Sequence, residues 1–251
     1  MTLIGRWSMG HATEANDIFR PRRVTIAAMV GVIILAAGTS SRYGANKLLL
    51  PFGSGSVLST VVATVSHSAA RPIVVVTGHQ QEQVRSAIEP PAIEGAGEEQ
   101  PRHAVSNVAV TFTHNPDYLT GEMLSSVKAG LRHMVQLTPM PDAIMVVLGD
   151  QPLLRLDVIE RIMLAFNQNC GELITPRYGL HGGRGHPVLI GRAWWDAVLA
   201  LPPEGNVRDL LRANRTRVTH LIVNNDTILG DVDTPEAYRE ALARLNAAQT
   251  R

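Results

Sequence analysis

The stretch VIILAAGTSSRYGANKLLLPFG, Val32 to Gly53, decides how this chain folds. An apolar, β-branched run stops at Ala36-Ala37-Gly38, and a loop of small residues follows that carries Arg42 and Lys47. Two readings compete. Taken with its upstream flank, RPRRVTIAAMVG, the run has a basic start, about fourteen apolar residues and an A-A-G ending, which imitates a secretion signal. It is too short for a membrane-spanning helix, which needs about 20 apolar residues. The other reading is a strand buried on both faces that ends in an anion-binding turn. The β-branched density of Val32 to Leu35 and the abrupt stop favour the strand. Residues 1–28 show no helical or strand period, so they are read as a disordered extension or an over-called start, with the domain at 29–251.

Composition narrows the class. The chain has 251 residues, 45% hydrophobic and 18% charged, enough to bury a core as one α/β domain. Its formal net charge is only +1, and its 23 Lys and Arg form no long basic block, so nucleic-acid binding is disfavoured. The single cysteine, Cys170, excludes an intrachain disulfide, and no paired Cys or Cys/His spacing suggests structural zinc, which suits a reducing cytoplasm.

Beyond Gly53 short apolar strands alternate with helical patterns. IVVVT (Ile73 to Thr77), Val108 to Phe112 and AIMVVL (Ala143 to Leu148) read as strands. Helices are expected around Ser56 to Ser68, Gln80 to Ile88, Met123 to Met134 and Leu156 to Gln168. Long connections between short strands are the mark of βαβ crossovers. Pro90 to Ser106 is polar and punctuated, hence a surface loop. ELIT, HPVLI and HLIV, then a helix from Thr234 to about Ala247, complete the chain. The fold class predicted is α/β, a single doubly wound, mainly parallel sheet.

Ligands of such sheets bind beyond the carboxyl ends of the strands, and four loops fall there. In LAAGTSSRYGANK, small residues let backbone N–H groups approach an anion, while Arg42 and Lys47 can neutralise a triphosphate. The loop matches neither the dinucleotide fingerprint nor the usual ATPase phosphate loop. In GDQP, Asp150 at the tip of a buried strand suits Mg²⁺, or it caps a helix starting near Leu153. In DVDTP, Asp231 and Asp233 alternate on a strand and share one face, with capping of the last helix by Asp233 or Thr234 as the plainer reading. In HGGRGHPVLIG, Arg184 and His186 among glycines suit an anionic, ring-bearing acceptor, or form only a mobile hairpin tip.

Together, LAAGTSSRYGANKLLLPFG, HNPDYLTGEMLSSVKAG, GDQP, GHPVLI and DVDTP, in this order over about Val30 to Leu245, resemble the molybdenum cofactor cytidylyltransferases. That family lies within the nucleotidyltransferase superfamily, which also includes sugar-nucleotide pyrophosphorylases. Tyr43 departs from the methionine usual in the family's SxRMG. The resemblance implies a Rossmann-like nucleotidyltransferase that passes CMP from CTP to the phosphate of molybdopterin, with Mg²⁺ and release of pyrophosphate. It implies catalytic roles for Arg42, Lys47 and Asp150, and a metal on Asp150 and Asp233. Nucleotide would lie against Leu35, Ala36, Ala37, Gly38, Thr77, Gly78, Gly121 and Ser126; the acceptor would meet Arg184, His186, Asn206 and Arg208. LAAG and GDQP resemble the cytidylyl branch, whereas guanylyl-transferring relatives carry LAGG and a Cys-Asp-x-Pro form. A molybdenum hydroxylase is the implied client. The open alternatives are transfer to a sugar 1-phosphate, a non-catalytic protein that delivers finished cofactor, and a nicotinamide-dependent oxidoreductase, the last opposed by the missing glycine fingerprint.

Overall fold

Val30–Ala36 is an inner strand, β1, of a seven-stranded sheet. The structure is a computed structural model, and it describes residues 27–39, 46–88, 108–224 and 226–249. Arg42, Tyr43, most of the amino-terminal extension and the loop at 90–106 lie outside the described residues. Of that extension, Ala28 donates its N–H to Asn167 Oδ1 at 2.9 Å.

After β1 the chain forms a small hairpin, β2 (Pro51–Phe52) and β3 (Gly55–Ser56), then α1 (Val57–Ser66), β4 (Ile73–Thr77) and α2 (Gln81–Ile88). Next come β5 (Val110–His114), α3 (Met123–Met134), β6 (Ala143–Leu148) and α4 (Leu156–Asn167). The last part holds β7 (Leu173–Tyr178), β8 (Val188–Gly191), α5 (Trp195–Leu199), α6 (Val207–Ala213), β9 (Val218–Val223) and α7 (Pro235–Gln249). Ser56 starts α1 as a reciprocal capping box with Ser59, which satisfies donors a free helix end would leave open.

The spatial order is β5-β4-β1-β6-β8-β7-β9. β1 pairs in parallel with β4 on one side and β6 on the other. The chain builds outward from β1 through β4 to β5, then returns to place β6 on β1's opposite edge. That reversal opens a crevice at the carboxyl ends of β1 and β6, where doubly wound sheets hold ligands. β8 alone runs antiparallel to its neighbours β6 and β7, so the mainly parallel sheet carries one reversed strand.

Both faces of the sheet are covered, which is why its central strands are apolar at every position. Val32 and Ile34 of β1 pack on one face with Leu58 and Val62 of α1, Val84 of α2 and Ile159 of α4. Ile33 faces the other way, among Leu124, Val127 and Leu131 of α3 and Val198 of α5. Phe52, Val57, Val232 and Ala241 form a third cluster that seats α7 against the hairpin.

Two local expectations change. Asp231 to Asp233 form an extended segment without a strand's ladder, because no neighbouring strand lies there to pair with; one hydrogen bond, Val232 N to Asp150 O at 3.0 Å, ties the segment to the end of β6. Asp150 caps no helix, since α4 begins at Leu156 with Arg155 at its cap position.

Candidate active site

The end of β6 is drawn onto the end of β1 by Gly149. Its N–H donates to Leu35 O at 3.0 Å, and a Cβ there would stand 2.7 Å from that same oxygen. Only glycine permits this approach, and it sets Asp150 beside the turn that follows β1. The extended segment arrives from the other side. Val232 is buried in the third cluster, so its neighbours Asp231 and Asp233 turn outward. Thr234 Oγ1 accepts the N–H of Ala237 at 3.2 Å and caps α7, which leaves the Asp233 carboxylate to face Asp150.

Lys47 closes the triangle. Asn46 Oδ1 accepts the Leu48 N–H at 3.1 Å and Leu48 is buried, so a short 3-10 turn holds the lysine in place. Its Nζ donates to Asp150 Oδ2 at 2.5 Å and to Asp233 Oδ1. Burial pulls the ammonium down, but Asp150 and Asp233 outweigh it and hold the Lys47 pKa above its ordinary value. Burial pushes the Asp231 carboxyl up, with Asp233 and Asp150 adding to the rise and Lys47 opposing it. Asp150 Oδ1 is buried and accepts no hydrogen bond among the described residues, a costly state for a carboxylate oxygen.

These groups line a cavity of about 300 Å³ together with Leu35, Ala37, Gly38, Tyr118, Gly121 and Ser126. Ala36, Thr77 and Gly78, expected at the nucleotide, do not line it. Ala36 points into the core beneath α1. Thr77 Oγ1 donates to Thr113 O at 3.3 Å, and a Cβ on Gly78 would meet Ala37 O at 2.7 Å. Thr77 and Gly78 support the turn from behind.

A second cavity, about 670 Å³, adjoins the first and shares Glu122 and Met123 with it. Arg184, His186, Asn206 and Arg208 all line this space, with Arg177 and Arg212. Asn206 also caps α6, its Oδ1 accepting the Asp209 N–H at 3.0 Å. His186 Nδ1 lies 3.4 Å from Val146 O, and burial, reinforced by Arg208, lowers its pKa despite that contact, so the ring is neutral at physiological pH.

The profile of a family described as "MobA-like NTP transferase domain" matches residues 32–218. The chain belongs to this family. The molybdenum cofactor cytidylyltransferase of Escherichia coli (strain K12) is 30% identical over 217 residues, covering 86% of this chain and 96% of that protein. The crystal structure of Rv0371c from Mycobacterium tuberculosis H37Rv superposes with a TM-score of 0.67 at 24% identity, covering 87% of this chain and 100% of that one. The same protein has been solved in complex with manganese, with a TM-score of 0.63 at 23% identity and coverage of 87% and 100%. Molybdopterin-guanine dinucleotide biosynthesis protein A from Archaeoglobus fulgidus gives 0.60 at 15% identity, covering 87% and 100%.

This MobA-like NTP transferase is thus an enzyme of the nucleotidyltransferase class. Among its described residues no helix is long and apolar enough to cross a membrane, and no group of three or more His, Cys, Asp or Glu could hold a metal. Residue chemistry alone missed Tyr118, Arg177 and Arg212. Tyr118 sits in HNPDYLTGEMLSSVKAG, but its place on the cavity wall comes from packing that a sequence does not display. The arginines are each unremarkable, and only the packing of β7, α6 and the 179–187 connection gathers them.

Proposed function

We propose that this NTP transferase passes the CMP unit of CTP to the terminal phosphate of a molybdopterin-type acceptor. A phosphate oxygen of the acceptor attacks the α-phosphorus of CTP, the bond from that phosphorus to the β-phosphate bridge breaks, and pyrophosphate leaves with the displaced electron pair. The observation that carries this reading is the pairing of two cavities along the shared Glu122–Met123 wall, one holding Lys47 between two aspartates and the other rich in arginine. The CTP preference is supported by the cytidylyltransferase relative and by LAAG and GDQP.

The small residues Ala37 and Gly38 let the triphosphate lie close to backbone donors. Lys47 neutralises charge on the α-phosphate as the new bond forms, and Arg42, assigned from sequence, would hold the departing β- and γ-phosphates. Arg177, Arg184, Arg208 and Arg212 attract the anionic acceptor, and neutral His186 offers it a hydrogen bond without adding charge. Asp150 and Asp233 suit Mg²⁺: Asp150 Oδ1, which accepts no hydrogen bond among the described residues, is a ready ligand, and Mg²⁺ is commonly held by one or two carboxylates plus substrate phosphates. When bound, the ion would supply further neutralisation of the triphosphate. A cytoplasmic setting and a molybdenum hydroxylase client belong to the same reading.

The test is pyrophosphate release with each of the four NTPs, in three arms: with molybdopterin, with a sugar 1-phosphate, and with no acceptor. Release with CTP that requires molybdopterin is expected. Release only with a sugar 1-phosphate would replace the acceptor, and no release under any condition would favour cofactor delivery without catalysis.

A further inference from the structure

We infer that Gly185 is a positioning residue for the acceptor: its lack of a side chain seats the 182–186 connection on the main-chain oxygen of Ile228, and that seat fixes where His186 stands in the larger cavity. The inference rests on the proposed acceptor site and deepens it.

The connection from β7 to β8 is held at its base by β7 itself. Tyr178 N–H donates to Gly183 O at 3.0 Å and Gly185 N–H to Pro176 O at 3.1 Å, while Arg177 Nε donates to Gly182 O at 3.2 Å. These bonds fold the connection back over the strand but do not reach His186. The contact with Ile228 does. His186 N–H donates to Ile228 O at 3.2 Å, and a Cβ on Gly185 would stand 2.0 Å from that same oxygen and 2.7 Å from the carbonyl carbon. Both are main-chain atoms, so a side chain at Gly185 forces one segment to move.

Which segment moves follows from burial. Ile228 lies in the 3-10 turn Asp226–Leu229, is fully buried, and packs in the core cluster that holds Ile174 of β7 and Leu189 of β8. Arg184 is exposed and Gly185 only half-buried. A close-packed core resists displacement, so the connection yields. Since ordinary contact needs about 3.5 Å, it would retreat by roughly 1 Å or more. That retreat breaks the His186 N–H bond and moves the imidazole, whose Nδ1 lies 3.4 Å from Val146 O. Ile228 also leads into the extended segment that carries Asp233, which Val232 N–H ties to Asp150 O at 3.0 Å. Because Ile228 holds its place, the smaller cavity keeps its geometry and the loss is confined to the acceptor.

The test combines steady-state kinetics with CTP, Mg²⁺ and molybdopterin with calorimetry of CTP binding in Mg²⁺ without acceptor. Gly185→Ala should lower kcat/KM for molybdopterin by about 10²-fold, chiefly through KM, as expected when a preorganised contact is misplaced by about 1 Å. Its CTP affinity should stay that of the wild type. In a His186→Ala background the same substitution should cost much less, since it acts through that ring. A wild-type KM for molybdopterin, an equal loss of CTP affinity, or the full cost persisting without His186 would each overturn the inference. If Gly185→Ala does not fold, amide hydrogen exchange of the wild type decides. The His186 N–H should exchange far more slowly than that of His181, exposed in the same connection, and equal rates would overturn the inference. A wild type that turns over no molybdopterin would instead sink the proposed function.

Discussion

Lys47 stands between Asp150 and Asp233, and its removal would leave two carboxylates facing each other across the cavity. Lys47→Ala should slow turnover by about 10²-fold or more, the usual cost of losing one preorganised charge-stabilising group; Arg42→Ala should do likewise, and steady-state rates at saturating NTP check both. Asp150→Asn and Asp233→Asn should each abolish pyrophosphate release. Asp231→Asn should matter less for turnover, because Asp231 makes no ion pair with Lys47 among the described contacts. It should instead change stability. The folded state raises the Asp231 pKa above its ordinary 3.8, so folded protein binds that proton more tightly than unfolded protein does. Stability is then lost as pH rises through the window from the unfolded value to the raised one. Asp231→Asn should therefore melt above the wild type at pH 7, with the gain vanishing below about pH 3.8; equal melting temperatures at pH 7 would contradict the shift. The residue types at this site were legible in sequence, since aspartates after an apolar strand stand out. The lysine's bridging position was not, because it depends on a side-chain path set by Asn46 and Leu48.

At the scale of elements, Gly149 is where backbone packing meets chemistry. A Cβ there would press on Leu35 O at 2.7 Å and Leu58 Cδ1 at 3.0 Å. Gly149→Ala should destabilise the protein by about 1–3 kcal/mol, read by urea unfolding, and should also lower turnover because Asp150 shifts with it. Wild-type stability and rate together would contradict the close approach. β1 gives a coarser test. Deleting residues 1–26 should leave a folded protein by circular dichroism, whereas deleting 1–38 removes a strand paired on both edges and should abolish folding. The apolar run at Val30–Ala36 is this strand, and its β-branched density was the legible signal. The bounds of α3 and β6 were equally plain from apolar periodicity. The reversed direction of β8 was not, because period-two alternation reports which face a residue takes and says nothing of strand direction. The same blindness explains Asp231 to Asp233: their alternation is real, with Val232 buried between them, but alternation in an extended segment does not supply a partner strand.

For the whole molecule, the reversal of strand order at β1 creates a crevice, and the crevice divides into a smaller acidic cavity and a larger cationic one that share a wall. The division suits a reaction in which two anions must be brought together, each with its own counter-charges. Doubly wound topology was legible from the alternation of strands and helices, but the adjacency of the two cavities was not, because α3 and α6 meet the site from distant parts of the chain. The central claim is transfer of a nucleotidyl group between those cavities. It is tested most directly by following a label on the α-phosphate of CTP, with molybdopterin and Mg²⁺ present, and comparing it with pyrophosphate released. The account predicts that the label appears in a CMP–molybdopterin adduct in one-to-one ratio with pyrophosphate. Label recovered only as free CMP, or as unreacted CTP, would contradict it.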